Sequence, residues 1–319
     1  MRNKDFVLGL DTSNYTTSLA ITDINGSIVT DRRKLLTVRQ GERGLRQSHA
    51  LFQHMENIPE MLLELFGQID KDRIGAIAAS SRPRPVEGSY MPVFKAGVNY
   101  GKVMAAGLGV PFFEFSHQEG HLEAVRRHSS LSEEREYLAF HLSGGTCGLL
   151  HVKNGSIEIL GGARDLSFGQ VIDRVGVSLG MEFPAGMEMD RIAVNRKDKQ
   201  SPILKKIPID GLEINLSGIE TQCQRELQKG VDAEALVHDL FMNIAGCLCR
   251  LTEKAVAGTG CDRVLFTGGV AASRFIRAEV GQFFSEKPVR IIFGDPALSS
   301  DNAVGISFLG GKALWQSNR

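Results

Sequence analysis

Residues 138–152 read LAFHLSGGTCGLLHV, two apolar runs separated by the polar, glycine-containing segment Ser143–Thr146. This pattern predicts a strand, a turn of small residues and a second strand. Gly144 and Gly145 lack a Cβ, so a ligand can approach the backbone closely, and successive N–H groups in such a turn can hold an anion. An ordinary β-hairpin explains the same pattern, because short glycine turns are common. The stretch alone leaves both interpretations open.

A second copy of this pattern lies near the start of the chain. Residues 7–27 read VLGLDTSNYTTSLAITDINGS, and residues 137–156 read YLAFHLSGGTCGLLHVKNGS. Ser13 aligns with Ser143, Thr16 aligns with Thr146, and both copies end in Asn-Gly-Ser, which is a hairpin signal. Similarity at this separation indicates a duplicated domain. We therefore predict an α/β protein whose two lobes face each other across an interlobe cleft, resembling the actin/sugar-kinase/Hsp70-like fold.

The lobes can be placed on the sequence. The first is expected over 1–130, completed by a C-terminal helix over 302–319, and the second over 131–301. The charged, loop-like stretch 128–136 marks the boundary between them. Apolar and small residues at helical spacing predict helices over 48–66, 94–108, 169–179, 189–195, 231–257 and 302–316.

The charge balance of the chain limits how it could bind nucleic acid. Thirty-seven Lys and Arg residues balance 37 Asp and Glu residues among 319, so no global field attracts a polyanion. Contact with tRNA would need local basic patches, of which the sequence offers Arg32–Arg46 and Arg196–Lys206. A solvated surface loop also explains each of these stretches.

The cysteines and the hydropathy of the chain indicate its compartment. The five cysteines contain no CxxC pair and lie mostly among apolar residues, which favours reduced, buried thiols and a cytoplasmic location. No run of about 18 apolar residues is present, so we expect no membrane contact. The run Val7–Leu10 ends at Asp11 and is too short for a signal peptide.

Two histidines at helical spacing are candidate metal ligands. In SHQEGH (116–121), His117 and His121 stand four residues apart, so their side chains share one helix face and could bind one ion. The motif differs from the HExxH of zinc proteases, because Glu119 points away from both histidines and cannot reach a metal-bound water. A plain helix surface is the alternative interpretation, and a metal would need a further ligand from elsewhere.

Asp301 is the candidate for that third ligand. It lies in LSSDNA (298–303), just before the predicted last helix. Two histidines and one carboxylate leave open metal positions for substrate oxygens. An ordinary helix N-cap region, in which Ser and Asp accept from free amides, explains the same residues.

The segment TGGVAAS (267–273) predicts a strand, two glycines and a helix N-terminus. Gly268 and Gly269 permit close approach of a ring or phosphate, and the helix dipole favours an anion. The motif is weak evidence alone, and the two hairpins strengthen it.

Together these pieces resemble the Gcp/TsaD family of tRNA threonylcarbamoyladenosine transferases, once called O-sialoglycoprotein endopeptidases. HQEGH is similar to the family's His-Met-Glu-Gly-His motif, and SSDNA is similar to its Cys-Thr-Asp-Asn-Gly. The resemblance spans nearly the whole chain in the family's order, through GLDTS (9–13), HQEGH (117–121), HLSGGT (141–146), FGQVIDRVGVSLGMEFPAG (168–186), LSGIET (216–221), TGGVAASR (267–274) and SSDNA (299–303).

The resemblance implies a mechanism and a set of site residues. It implies one divalent metal, iron or zinc, on His117, His121 and Asp301, and it implies ATP or an acyl-adenylate as the nucleotide. The reaction would be acyl transfer to the adenosine beside the tRNA anticodon, aided by partner proteins of the pathway. The residues expected to contact the nucleotide are Asp11, Ser13, Leu142, Ser143, Gly144, Gly145, Asp173, Gly186, Asp190, Gly268, Gly269 and Ser273.

Several positions depart from the family pattern. Thr146 replaces a histidine, Glu220 a lysine and Ser273 an asparagine, and SRPRPVEGSYMP (81–92) replaces a Gly-Pro-Gly-Leu loop. Two alternatives therefore remain: a divergent paralogue that transfers a carbamoyl-type group to another acceptor, and a non-catalytic nucleotide-binding partner subunit. The intact His/His/Asp set disfavours a non-catalytic subunit, which would need no metal site. The position of Glu119 disfavours the older endopeptidase activity.

Overall fold

The computed structural model describes residues 4–13, 15–38, 45–196 and 202–317. These residues form two compact units. The first contains the described residues within Met1–Val38, Gly44–His128 and Ser300–Arg319, and the second contains those within Ser129–Ser299. We propose that these units correspond to the two predicted lobes.

Each unit is built on one β-sheet. The first sheet contains Phe6–Thr12 (β1), Thr16–Asp23 (β2), Ile28–Leu35 (β3), Ile74–Arg82 (β4) and Phe112–Ser116 (β5). The second contains Glu136–Leu142 (β6), Cys147–Lys153 (β7), Ser156–Ala163 (β8), Ile209–Asp210 (β9), Glu213–Ile214 (β10), Arg263–Thr267 (β11) and Arg290–Phe293 (β12).

Helices accompany both sheets. In the first unit they are Gln47–Phe66 (α1), Phe94–Leu108 (α2) and His117–Arg127 (α3). The helices of the second unit are Phe168–Ser178 (α4), Gly186–Asn195 (α5), Ser217–Gln228 (α6), Ala233–Thr259 (α7), Arg274–Phe284 (α8) and Pro296–Ser299 (α9). The last helix, Val304–Ser317 (α10), belongs to the first unit.

The two sheets share one topology, which supports the predicted duplication. The first sheet has the order β3-β2-β1-β4-β5, and the second contains β8-β7-β6-β11-β12 extended by β10 and β9. In both, three antiparallel strands are followed by two parallel ones. The predicted cleft between facing hairpins stays a prediction.

The Asn-Gly hairpin signals are confirmed. Between β7 and β8, Asn154 and Gly155 have φ of 51° and 84°, the left-handed values that a two-residue turn needs to match strand twist. In the first copy, Gly26 has φ of 83°, and Asp23 accepts the N–H groups of Asn25 and Ser27.

The structure differs from the predictions at three places. Arg32–Lys34 lie on strand β3 and not in a loop, because this strand pairs with β2 at the sheet edge. Helix α6 was not predicted, since its apolar residues are few and only Ile219 and Cys223 are buried. A 3-10 turn over Val270–Ala272 separates the Gly-Gly pair from α8, so the glycines do not directly open that helix.

Small residues allow helix α10 to pack closely inside the first unit. A Cβ on Gly305 would lie 1.8 Å from the carbonyl oxygen of Gly120 on α3, and a Cβ on Gly9 would lie 2.6 Å from that of Ala303. The hydroxyl of Ser307 donates to the carbonyl of Val7 on β1 at 2.7 Å. These contacts bring the start of α10 next to β1 and α3.

Candidate functional site

The two candidate histidines lie on α3, whose start is fixed by a capping box. The Ser116 hydroxyl accepts from the N–H of Glu119 at 3.2 Å, and the Glu119 carboxylate accepts from the N–H of Ser116 at 2.7 Å. Such reciprocal bonds satisfy amides that would otherwise lack partners. Glu119 is therefore engaged in capping, which agrees with the predicted position of its side chain away from the histidines.

Asp301 meets both histidines within the first unit. The Nε2 atoms of His117 and His121 lie 2.9 Å apart. The Oδ1 atom of Asp301 lies 3.5 Å from Nε2 of His117 and 3.2 Å from Nε2 of His121. The predicted convergence of the three side chains is thus present.

Asp301 does not serve as the N-cap of α10. The side chain of Asn302 accepts from the N–H of Val304 at 3.0 Å, and the Ser18 hydroxyl accepts from that of Ala303 at 2.9 Å. Asn302 and Ser18 therefore cap the start of α10, and the carboxylate of Asp301 faces the histidines.

Asp11 orients His117, a role that the sequence did not indicate, and the predicted nucleotide contact of Asp11 stays a prediction. Its Oδ1 atom lies 3.0 Å from Nδ1 of His117. A carboxylate only accepts, so Nδ1 carries a hydrogen and donates it to Asp11, while Nε2 faces His121 and Asp301. Histidines that bind metals usually donate their second ring N–H to such a carboxylate.

Buried charge dominates the electrostatics of this cluster. Burial alone would lower the pKa of His117, but Asp11 and Asp301 outweigh it and raise that pKa to about 10. Burial and the nearby charge of His117 lower the pKa of His121. Burial would raise the pKa of Asp301, yet the two imidazoles hold it well below its usual range. Two carboxylates thus favour a positive charge between them.

The donor atoms have the spacing that one metal ion needs. Bonds of about 2.0–2.2 Å put neighbouring ligand atoms about 3.0 Å apart in octahedral and about 3.4 Å apart in tetrahedral geometry. The observed separations of 2.9, 3.2 and 3.5 Å span that range. The Oδ2 atom of Asp11 is buried and has no hydrogen-bond partner among the described residues, as expected beside a cation site. The residues therefore fit a divalent metal.

Ser13 lies in this cluster and contacts a carboxylate. Its hydroxyl donates to Oδ2 of Asp301 at 2.8 Å. Its carbonyl oxygen lies 2.7 Å from Nε2 of His54, a buried residue of α1 that sequence reasoning missed. His54 occupies an unremarkable position in a helical pattern, so only the fold reveals this contact.

In the second unit, the predicted turn lies at the carboxyl end of β6. The N–H of Ser143 donates to the carbonyl of Thr146 at 2.9 Å, and the N–H of Thr146 donates to the Ser143 hydroxyl at 3.0 Å. The Ser167 hydroxyl donates to the carbonyl of Gly144 at 2.6 Å. A Cβ on Gly144 or Gly145 would meet nothing within 4 Å, so open space lies beside the turn.

The Gly-Gly pair adjoins this turn, because β6 and β11 are parallel neighbours. Gly268 has φ of 99°, and a Cβ there would lie 2.3 Å from the carbonyl oxygen of Leu142. Gly269 has an ordinary φ of −58° and no atom within 4 Å of an added Cβ. The positive φ and the close contact with Leu142 thus require glycine at position 268, whereas position 269 could accept a side chain.

Two acidic residues predicted to contact the nucleotide have structural partners. The Asp173 carboxylate accepts from the N–H of Ala185, next to Gly186, at 2.9 Å, and burial raises its pKa. Asp190 accepts from the Ser273 hydroxyl at 2.5 Å and from the N–H of Phe275 at 3.1 Å. Asp190 and Ser273 together hold the start of α8, and their nucleotide contacts stay predictions.

The adjacent glycines provide a matched pair of variants. Gly268→Ala should lower the stability of the second unit by at least about 1–3 kcal/mol, because alanine rarely adopts this φ and its Cβ would clash with Leu142. Gly269→Ala should leave it unchanged. Urea unfolding followed by circular dichroism measures the difference, and equal midpoints for the two variants would contradict this assignment.

The described part of the first basic stretch is largely paired. Arg33 contacts Asp31 at 2.5 Å, Lys34 contacts Glu60 at 2.9 Å, and Arg32 donates to Gln68 at 2.8 Å. Arg39 and Arg43, and residues 197–201 of the second stretch, lie outside the described residues. Carboxylates therefore pair the charges of Arg33 and Lys34, whereas Arg32 keeps its positive charge beside a neutral amide.

The five cysteines are free. Cys147 is half-buried by its exposed surface, although its thiol is desolvated, and the other four are buried. Burial raises the pKa of Cys147, Cys223, Cys247 and Cys249 to about 12. These thiols are poor nucleophiles, because the thiolate is the reactive form.

Across the described ranges, none of the helices combines the length and apolar character needed to span a bilayer.

Comparisons with known proteins identify the fold and the family. Among solved structures, HypF from T. kodakarensis superposes with a TM-score of 0.64 at 14% identity, covering 98% of this chain and 48% of that one. A ROK family glucokinase from Streptomyces griseus, solved with glucose and AMPPNP, has a TM-score of 0.55 at 10% identity, covering 96% and 99%. These likenesses confirm the predicted sugar-kinase-like fold class.

The sequence comparisons agree with the motifs. The tRNA N6-adenosine threonylcarbamoyltransferase of Bacillus licheniformis is 29% identical, with 98% of this chain and 93% of that protein covered. The family model described as TsaD, tRNA N6-adenosine threonylcarbamoyltransferase, matches residues 31–308. The chain therefore belongs to the TsaD family of tRNA N6-adenosine threonylcarbamoyltransferases.

Proposed function

We propose that this chain is a metal-dependent transferase that moves a threonylcarbamoyl group from an acyl-adenylate to the exocyclic amine of an adenosine in tRNA. The observation that carries the proposal is the convergence of His117, His121 and Asp301, whose donor atoms lie within 3.5 Å of one another. Membership in the TsaD family supplies the reaction class.

The metal centre would use residues of the first unit. His117, His121 and Asp301 would hold one iron or zinc ion, and Asp11 would orient His117. The ion would supply Lewis-acid polarisation of a phosphate or carbonyl oxygen. In the second unit, the open turn at Ser143–Gly145 and the Gly268–Gly269 pair would hold the nucleotide, since backbone N–H groups in such turns bind anions.

The transfer step needs no protein nucleophile. The amine nitrogen forms a bond to the acyl carbon, the bond from that carbon to the phosphate oxygen breaks so that AMP leaves, and the proton lost by the amine passes to solvent. The raised thiol pKa values of Cys147 and Cys247 disfavour a cysteine nucleophile, because little thiolate forms. The protein would contribute chiefly by holding donor and acceptor in reactive orientation and by stabilising charge.

A reconstituted transfer assay tests this function. Purified protein would be incubated with unmodified tRNA, threonylcarbamoyl-adenylate and candidate partner proteins of the pathway, and the nucleosides would be analysed by mass spectrometry. We expect metal-dependent formation of threonylcarbamoyladenosine, at least about 100-fold slower for His121→Ala, because loss of only an indirect metal contact costs about 10–100-fold. Equal product from wild type and His121→Ala would contradict the proposed centre.

The proposed location and tRNA contact follow from the same function. We propose a cytoplasmic protein that contacts tRNA through the basic stretches Arg32–Arg46 and Arg196–Lys206. Phosphate contacts release counterions, so tRNA affinity should fall steeply with rising salt.

A different acceptor is the second candidate function. The paired charges of Arg33 and Lys34 favour it, as do the departures at Thr146, Glu220 and Ser273. A metal-dependent protein that binds adenylate but never modifies tRNA, with partners present, would support this second function over the first.

A further inference from the structure

A buried hydrogen-bond chain connects helix α1 to the candidate metal centre. His54 is fully buried on α1, and its Nδ1 lies 2.8 Å from the Thr17 hydroxyl oxygen. Its Nε2 lies 2.7 Å from the carbonyl oxygen of Ser13. The Ser13 hydroxyl in turn donates to Oδ2 of Asp301 at 2.8 Å. All of these residues belong to the first unit.

The chemistry of the partners determines how His54 is protonated. A carbonyl oxygen only accepts, so Nε2 of His54 carries a hydrogen and donates it to Ser13. Nδ1 then accepts from the Thr17 hydroxyl. The Asn57 amide donates to the same Thr17 oxygen at 3.1 Å, which leaves the Thr17 hydrogen directed at His54. Burial lowers the pKa of His54 and thereby supports this neutral form.

We propose that His54 is a positioning residue for Asp301, acting through Ser13. The imidazole of His54 donates to the Ser13 carbonyl and thereby fixes the backbone of Ser13. From this backbone, the Ser13 hydroxyl donates to Oδ2 of Asp301. With Oδ2 engaged, Oδ1 is turned toward His117 and His121. Hydrogen-bonded partners of this kind orient the ligands of a metal and affect its affinity. The inference rests on the metal centre proposed above.

Two amide variants separate the two hydrogen bonds of His54. Glutamine places its amide nitrogen near the position of Nε2, so His54→Gln can keep the bond to the Ser13 carbonyl. Asparagine is shorter and can reach only Thr17. The probe is Co²⁺ added to metal-free protein, followed by its visible absorption bands, which report both affinity and ligand geometry.

We expect variants that keep the hydrogen bond from position 54 to the Ser13 carbonyl to retain Co²⁺ affinity, and variants that lose it to bind more weakly. His54→Asn should bind about 10-fold more weakly than wild type with altered bands, and His54→Gln should stay within about threefold with unchanged bands. Ser13→Ala should also lose about 10-fold or more. Because His54 acts through Ser13, adding His54→Asn to Ser13→Ala should cause no further loss.

A matched control lies on the same helix. His49 is exposed on α1, and His49→Asn should bind Co²⁺ like wild type. Wild-type affinity and bands for His54→Asn, or a full additional loss in the double variant, would overturn the role of His54 and leave the metal centre standing. Absence of Co²⁺ binding by wild type would overturn the proposed centre itself, and this inference with it.

Discussion

Replacing Asp301 with alanine is expected to weaken divalent-metal binding by more than about 100-fold, beyond the 10–100-fold that indirect partners of a metal typically contribute. The change removes one of three donor atoms that lie 2.9–3.5 Å apart. It also removes the charge that holds the two imidazoles together. Metal content after purification and Co²⁺ titration measure the loss, and transferase activity should fall with it.

The neighbouring Ser300→Ala variant is the control for Asp301. Ser300 is exposed, and its hydroxyl accepts from Arg33 at 2.8 Å, so its loss should leave metal affinity unchanged. Asp301→Asn adds a second comparison, because it keeps the size of the side chain and removes its charge. Stoichiometric metal in Asp301→Ala would refute the ligand set.

Gly305→Ala is expected to produce the largest loss of stability, about 3 kcal/mol or more, at the upper end of what overpacking costs. The new Cβ would lie 1.8 Å from the Gly120 carbonyl oxygen and 2.8 Å from the amide nitrogen of Ala124. Both are backbone atoms of α3, so the clash can be relieved only by moving α3 and α10 apart. Metal affinity should fall as well, because α3 carries His117 and His121 while α10 follows Asp301.

Gly311→Ala on the same helix is the matched control. The nearest atom to its Cβ would be 3.8 Å away, on Val7. Alanine is the better helix former by up to about 1 kcal/mol, so this variant should be as stable as wild type or more so. Thermal melts compare the two, and an unchanged melting temperature for Gly305→Ala would disprove the close packing of α3 and α10.

The duplicated hairpins and the histidine pair could be predicted from local patterns. Asn-Gly at 154–155 requires left-handed backbone angles that few other residues adopt, so the letters alone indicate the turn. His117 and His121 share a helix face because of their spacing, and Ser116 with Glu119 forms the box that starts the helix. Such features depend on residues close together in sequence.

Other elements could not be predicted, for physical reasons. Helix α6 buries only Ile219 and Cys223, so its periodic signal is weak. Arg32–Lys34 form a strand because β2 offers an edge for pairing, and charged residues give no local sign of it.

The sequence by itself determined the α/β class, the repeated strand-turn-strand unit, the family, and the three side chains proposed to hold a metal. Only the tertiary structure decided three contacts around these side chains. Asp11 accepts from His117, and the Ser13 hydroxyl donates to Asp301. His54 donates to the Ser13 carbonyl. Asp11 and His117 are 106 positions apart, and Ser13 and Asp301 are 288 apart. Contacts over such separations depend on how β1, α3 and α10 pack, and the close approach of those elements is set by glycines whose packing partners lie far away in the chain.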